Sequence, residues 1–115
     1  MAIAGKYRIK DHRRILQVQK EGAIFQSANF GVCYLKGRNK SLSAFAIVVS
    51  TKVSKLAVHR NRIERAITEA VRQSVIDIPK GFEFVFLAKK NIGSRTTEEI
   101  MLEVKSFIME FKKNV

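Results

Sequence analysis

Six cations fall between Val49 and Arg72: Lys52, Lys55, Arg60, Arg62, Arg65 and Arg72, against two acids, Glu64 and Glu69. Groups of this kind bind phosphate oxygens, arginine through a forked set of donors and lysine as a point charge. The same stretch carries Ile63, Ala66, Ile67, Ala70, Val71 and Val75 at spacings of three and four. That is the period of an amphipathic helix with one buried face. At about 100° per residue, Asn61, Arg65, Thr68 and Arg72 stack on the opposite face, with Arg62 and Glu69 beside them. One side of the segment closes a core. The other offers cations to something outside.

Groups for covalent or metal chemistry are sparse. His12 and His59 lie on different elements, and neither has a Cys or His at ligand spacing. No HExxH, GxxxxGK[ST] or GxSxG pattern occurs. Cys33 sits mid-strand without a base beside it, which fits a buried thiol better than a nucleophile. Glu64 and Glu69 stand four residues from Arg60 and Arg65, the spacing of helical ion pairs. A protein-only nuclease would need a carboxylate cluster for metal, and none is legible.

The whole chain has 115 residues, a net charge of +12, a pI near 10.3 and 46% hydrophobic residues. Length and apolar content predict one domain, 1–115, with a packed core. The charge predicts a polyanionic partner, most often nucleic acid. No apolar run approaches the roughly 18 residues of a membrane span, so no membrane partner is expected. MAIAGKYRIK lacks the apolar centre of a signal peptide. A single cysteine fits a reducing, cytoplasmic setting.

These cations must be positioned by a small α+β fold. Residues 1–10 read as a basic extended arm. Asp11 caps a helix from His12, with Gly22 just past its end and Ile15, Leu16 and Val18 on a narrow apolar face. Arg13, Arg14 and Lys20 point elsewhere, and 23–29 reads as a connection. FGVCYL at 30–35 reads as a strand with Phe30, Val32 and Tyr34 on one face. Phe30 and Tyr34 are either core or, on an open face, stacking platforms for unpaired bases. A loop at 36–43 leads to a central strand at 44–50, then the helix from about Ala57 to Ile76. Pro79-Lys80-Gly81 is a turn. FEFVFLA at 82–88 is a strand, and Thr96 with Glu99 forms a capping box before the last helix. The predicted order is α-β-β-α-β-α, one small sheet with helices packed on it.

The stretch VSTKVSKLAVHRNRIERAITEAVR resembles the signature of the bacterial ribonuclease P protein component. In that family a strand ending V-S-K-K leads into A-V-x-R-N-R-x-K-R on a helix. The spacing matches from Val49 through Arg65. RIKDHRRILQVQKEG is similar to the family's arm and first helix, FGVCYL to its first strand, and FEFVFLAKK to its third. Three positions depart from the pattern: Thr51 replaces a lysine, Glu64 stands where a lysine is usual, and Thr68 where a basic residue is common. Ile15 and Gln19 stand where the family commonly has aromatics.

The resemblance implies an RNA-binding subunit of ribonuclease P, which removes the 5′ leader from precursor transfer RNA. It implies that the RNA subunit is the catalyst and holds the Mg²⁺, that this chain carries no catalytic residue and no metal of its own, and that no protein partner is required. Lys52, Lys55, Arg60, Asn61, Arg62 and Arg65 are then the expected contacts to the RNA subunit. Ile15, Gln19, Phe30, Val32 and Tyr34 are the expected lining of a leader cleft between the first helix and the sheet. The family's βαβ crossover is left-handed, against the usual rule, in the fold class of the second domain of a small-subunit ribosomal protein. The alternative reading is a ribosomal or other non-catalytic protein that binds structured RNA.

Overall fold

Alternation along Phe82–Ala88 divides the molecule in two. In a strand, successive side chains leave opposite faces of the sheet, so Phe82, Phe84 and Phe86 go one way and Glu83, Val85 and Leu87 the other. The computed structural model describes residues 5–115. Its elements are α1 (His12–Glu21), β1 (Ala23–Gln26), β2 (Phe30–Lys36), β3 (Ala44–Val48), α2 (Ala57–Gln73), β4 (Phe82–Ala88) and α3 (Thr97–Lys113). The sheet order is β1-β2-β4-β3. β4 pairs antiparallel with β2 and parallel with β3, so α2 is the crossover between two adjacent parallel strands.

The aromatic side of β4 faces the larger core. Phe30 and Val32 of β2 and Phe45 of β3 join it, under Ile63, Ile67 and Val71 of α2 and Ile100, Val104, Phe107 and Phe111 of α3. Phe84 stacks on Phe45 with centroids 5.2 Å apart and meets Phe111 edge-on at 5.0 Å. The opposite side of the sheet carries Cys33 and Val85, packed with Val18 of α1 and flanked by Ile15, Leu35, Ala46 and Leu87. α2 and α3 run in the same direction: Arg62 reaches Gly93 just before α3, and Lys105 reaches back to Gln73 near the end of α2.

Three expectations need correction. Residues 23–26 are an edge strand, not connection, so the order is α-β-β-β-α-β-α. AIFQ is too short to show a period, and its pairing with β2, from Ala23↔Tyr34 to Gln26↔Gly31, defines it. The arm, where described, is not extended throughout. After a 3-10 turn at Gly5–Tyr7, Arg8 bridges to Phe45 and the Ile9 N–H donates to the Phe45 carbonyl at 2.9 Å. This strap buries Ile9; positions 1–4 of the predicted arm lie outside the described residues. Finally, α2 stops at Gln73 rather than Ile76, where the Ser74 N–H turns back to the carbonyls of Ala70 and Val71.

Local chemistry fixes the joints. Asp11 accepts from the Arg13 N–H at 3.0 Å and caps α1. Gly22 follows α1 with φ −74°, so no left-handed turn demands it; a Cβ there would sit 2.5 Å from the carbonyl oxygens of both Tyr34 and Val18. Gly81, at φ +88°, takes the left-handed conformation that closes the turn into β4. The Thr96–Glu99 capping box starts α3 as expected. Farther along, Glu103 accepts from the Ser27 hydroxyl, the Asn29 N–H at 2.9 Å and the Asn29 amide at 2.6 Å, and so clasps the β1–β2 turn to α3. Partial burial pushes the Glu103 carboxyl up, but the hydrogen bonds from Ser27 and Asn29 outweigh it and hold it below the ordinary value.

Because the folded value is depressed, the Glu103 clasp contributes stability at neutral pH that is lost as pH falls from about 4.3 downward. Urea midpoints between pH 7 and pH 3 should therefore fall less steeply for Glu103→Gln than for the parent. Phe107→Ala removes a ring touching Phe25, Phe30, Phe84 and Phe86. It should cost about 3–5 kcal/mol in denaturant unfolding.

Candidate nucleic-acid interface

The start of α2 is built to leave charge outside. Its N-cap is Leu56, which supplies no side-chain hydrogen bond, and its first turn holds no acid. The positive end of the helix dipole is therefore uncompensated. Lys52 and Lys55 are exposed on the connection leading in. Half-buried Arg60 folds back so that Nη1 donates to the Ser54 carbonyl at 2.9 Å, bracing that connection. Asn61 and Arg65 are exposed on the outer face. Arg62 leans across to the Gly93 carbonyl at 3.4 Å, near the limit of a hydrogen bond. All six expected RNA-subunit contacts thus lie at one end of the molecule.

The acids do not pair as their spacing suggested. Glu69 accepts from Nε and Nη2 of Arg72, three residues on, and also from Gln73. The Arg72 hydrogen bond, aided by Gln73 and by the nearby positive charge, lowers the Glu69 carboxyl to about 2. Arg65 is left without that partner. Glu64 enters none of the four ion pairs among the described residues. Thr68 is 9% exposed, not on the outer face. It follows Ile67 around the helix toward the strap, while Asn61, Arg65 and Arg72 stay outside.

A groove of about 580 Å³ runs between α2 and the start of α3. Asn61, Arg62, Arg65 and Glu69 form its polar wall, and Val58, Thr97 and Met101 belong to its lining as well. The sequence reading missed Thr97 and Met101, because nothing local says that the start of α3 lies beside that of α2. Val58, apolar and 69% exposed, lies beside them in the groove.

The residues expected to line a leader cleft do not come together. Ile15 and Gln19 of α1 are half-buried on the α1 side of the sheet. Phe30 and Val32 are 0% exposed on the other side, under α3. Tyr34 points the same way and meets Phe111 edge-on at 4.9 Å. Phe30 and Val32 are core, and Tyr34 is half-buried against it. The alternation in β2 was right, but which face meets α1 depends on where α1 docks. The β2 residues that face α1 are Cys33 and Leu35, with Ala46 and Val48 of β3 and Leu87 of β4 alongside. Burial raises the Cys33 thiol above its ordinary value, so it sits there as an uncharged apolar group.

Arg14 was expected to point away from the fold. Instead its Nε pairs with Glu83, a buried acid of β4, while Nη1 donates to Gln17 at 2.9 Å and Nη2 to the Lys36 carbonyl at 3.1 Å. This pins α1 across the ends of β2 and β4 and leaves Arg13 and Lys20 as its outward cations. Among the described residues, no three His, Cys, Asp or Glu gather as a metal ion would require. No described helix is long and apolar enough to cross a membrane.

Comparison with known proteins gives one answer throughout. The family model described as Ribonuclease P matches residues 3–112. A ribonuclease P protein component from Clostridium kluyveri is 36% identical over 104 residues, covering 89% of this chain and 91% of its own length. One from Bacillus cereus is 31% identical over 109 residues, covering 95% and 91%. The solved RNase P protein from Staphylococcus aureus superposes with a TM-score of 0.82 at 25% identity, over 93% of this chain and 95% of that one. That from Thermotoga maritima gives 0.80 at 26%, over 90% and 96%.

The Arg14–Glu83 pair separates structural from surface cations on α1. Arg14→Ala leaves Glu83 buried without its counter-charge and should cost roughly 3–5 kcal/mol. Arg13→Ala should stay within about 0.5 kcal/mol. Urea unfolding of the two variants checks this.

Proposed function

Because the chain belongs to the ribonuclease P protein family, we propose that it is the RNA-binding subunit of that endoribonuclease, assisting a catalytic RNA in removing the 5′ leader of precursor transfer RNA in the cytoplasm. The observation that carries the reading is the cationic end of α2. Lys52, Lys55, Arg60, Asn61, Arg62 and Arg65 gather there, while the nearby acid Glu69 is held by Arg72. These six contact the RNA subunit. Arginine forks bind phosphate oxygens, Asn61 supplies an amide that both donates and accepts, and Arg60 holds the connection in place as it does so.

The leader runs along the cleft between α1 and the sheet. Ile15 and Gln19 keep their proposed place there, and Cys33 and Leu35 take the place of Phe30, Val32 and Tyr34. Walls this apolar suit base faces, while Arg13 and Lys20 at the rim suit phosphates. The chain supplies no general acid or base to the cleavage. Its donor set does not fit a metal ion either: Glu69, Glu83 and Glu103 are each committed to a partner. Mg²⁺ is therefore assigned to the RNA, where it supplies the metal-assisted hydrolysis. This chain binds, orients, and screens repulsion between two polyanions, which lowers the Mg²⁺ needed. No further protein is required.

Leader removal by the cognate RNA, assayed at low Mg²⁺ with and without the chain, tests the assignment. Stimulation is expected, and its absence overturns the reading. Arg65→Ala should weaken RNA-subunit binding roughly tenfold and flatten the log–log salt slope by about 0.7–0.9. Unchanged affinity and slope would remove this face from the interface.

A further inference from the structure

The most exposed large apolar side chain among the described residues is Ile76, at 90%. It stands just past the end of α2, on a groove of about 490 Å³. Tyr7 of the strap, Leu42, Val75 and Ile78 line the groove with it, and Lys80 adds a cation. Two more lysines border it. Lys6 holds its Nζ 5.2 Å from the centre of the Tyr7 ring. Lys40 lies against the turn that carries Lys80: a Cβ on Gly81 would sit 3.6 Å from the Lys40 carbonyl oxygen and 3.7 Å from its Cα. All three lysines are exposed, and none enters the four ion pairs among the described residues. The acid nearby in sequence, Asp77, is held by Lys112 at 3.1 Å.

The walls of this groove are tied together. The Ser43 hydroxyl donates to the Pro79 carbonyl and accepts from the Phe82 N–H at 3.1 Å, and the Gly37 N–H donates to the Gly81 carbonyl at 2.8 Å. These bonds stitch the loop at 36–43 to the turn at 79–81. The volume falls within the roughly 300–1,000 Å³ of preformed binding pockets. Unpaired bases stack on flat rings or guanidinium planes. Here Leu42, Val75, Ile76 and Ile78 are branched aliphatics. Of the two rings in the lining, Phe45 is buried and Tyr7 has the Lys6 ammonium over it. Such a floor suits the apolar side chains of a peptide, and its lysine border suits carboxylates on either side of them.

We propose that this groove docks a short acidic peptide of a protein partner, its apolar anchor seated against Leu42 and Ile76 and its flanking carboxylates paired with Lys6, Lys40 and Lys80. Charge complementarity selects this occupant. A second copy of a chain with net charge +12 meets repulsion, and residues 1–4 of the chain itself hold no acid. The 17 residues of α2 set the groove about 25 Å from the cationic start of that helix, at roughly 1.5 Å per residue. The two ends are therefore free to be occupied together, and the chain joins a protein partner to whatever polyanion its other end holds.

The test is fluorescence anisotropy of the full chain with a dye-labelled synthetic peptide, Asp-Asp-Asp-Phe-Phe-Asp-Asp-Asp. Saturable binding is expected, weakened about tenfold by Ile76→Asp and by Lys80→Glu. Both positions are exposed, so both variants should keep the parent's urea midpoint. Exchanging the two phenylalanines of the peptide for serine should weaken binding about tenfold as well. That separates docking in the groove from general attraction to a basic protein. No binding, equal binding of the serine peptide, or affinity unchanged in both variants overturns the proposal. So does binding of single-stranded oligouridine that Ile76→Asp weakens by the same factor, which would make the groove a nucleic-acid site. Self-association that Ile76→Asp abolishes would make a second copy the occupant. Peptide binding that appears only after removal of residues 1–4 would make that segment the occupant, and either result overturns the assignment to a partner.

Discussion

Phe84 stands at the middle of the sheet, stacked on Phe45 and met edge-on by Phe107 and Phe111. Those contacts bind β4 to β3 on one side and to α3 above, and Phe107 carries the cluster on to Phe30 and Phe25. Aromatic pairs in such geometries add about 0.5–1.5 kcal/mol each beyond the area they bury. The consequence is mostly one of orientation. With the aromatic side committed to α2 and α3, Glu83, Val85 and Leu87 must face α1. The two candidate RNA surfaces inherit their direction from this partition: the outer side of α2 and the cleft under α1.

How the chain's charge is distributed follows from where its acids sit. Glu83 neutralises Arg14, Glu69 holds Arg72, Glu99 closes a helix cap, and Glu103 clasps a turn. Each of these four is committed to a partner within the fold. A net charge of +12 on 115 residues would otherwise be a diffuse cloud. Here it has a concentrated end at 52–65 and an apolar cleft elsewhere, a distribution suited to holding two different stretches of RNA.

Much of this was legible in the sequence, and the exceptions share a cause. The apolar period of α2, the alternation of β4 and the Thr96–Glu99 cap are local patterns, and each appears in the structure. The cationic residues Lys52 to Arg65 were legible by type and spacing. Their pairing was not, because Glu69 chose Arg72 over Arg65 by side-chain geometry. The cleft residues were misplaced by a choice of face. Tyr34 and Cys33 are neighbours in a strand whose two sides look alike in composition, and only the docking of α1 through Arg14 decides between them. β1 and the strap were illegible for a related reason. Four residues of edge strand and one bridging arginine gain their structure from partners far along the chain.

The shared direction of α2 and α3 has a consequence for the field at the interface. Two helices side by side place both positive dipole ends together. At α3 the end is quenched by Glu98, Glu99 and the Thr96 cap, whereas at α2 nothing in the first turn opposes it. Part of the attraction for phosphate at this surface therefore resides in peptide groups rather than side chains. It belongs to the backbone and is present whatever the protonation state of the neighbouring side chains. It sits immediately beside the arginines that would otherwise receive all the credit.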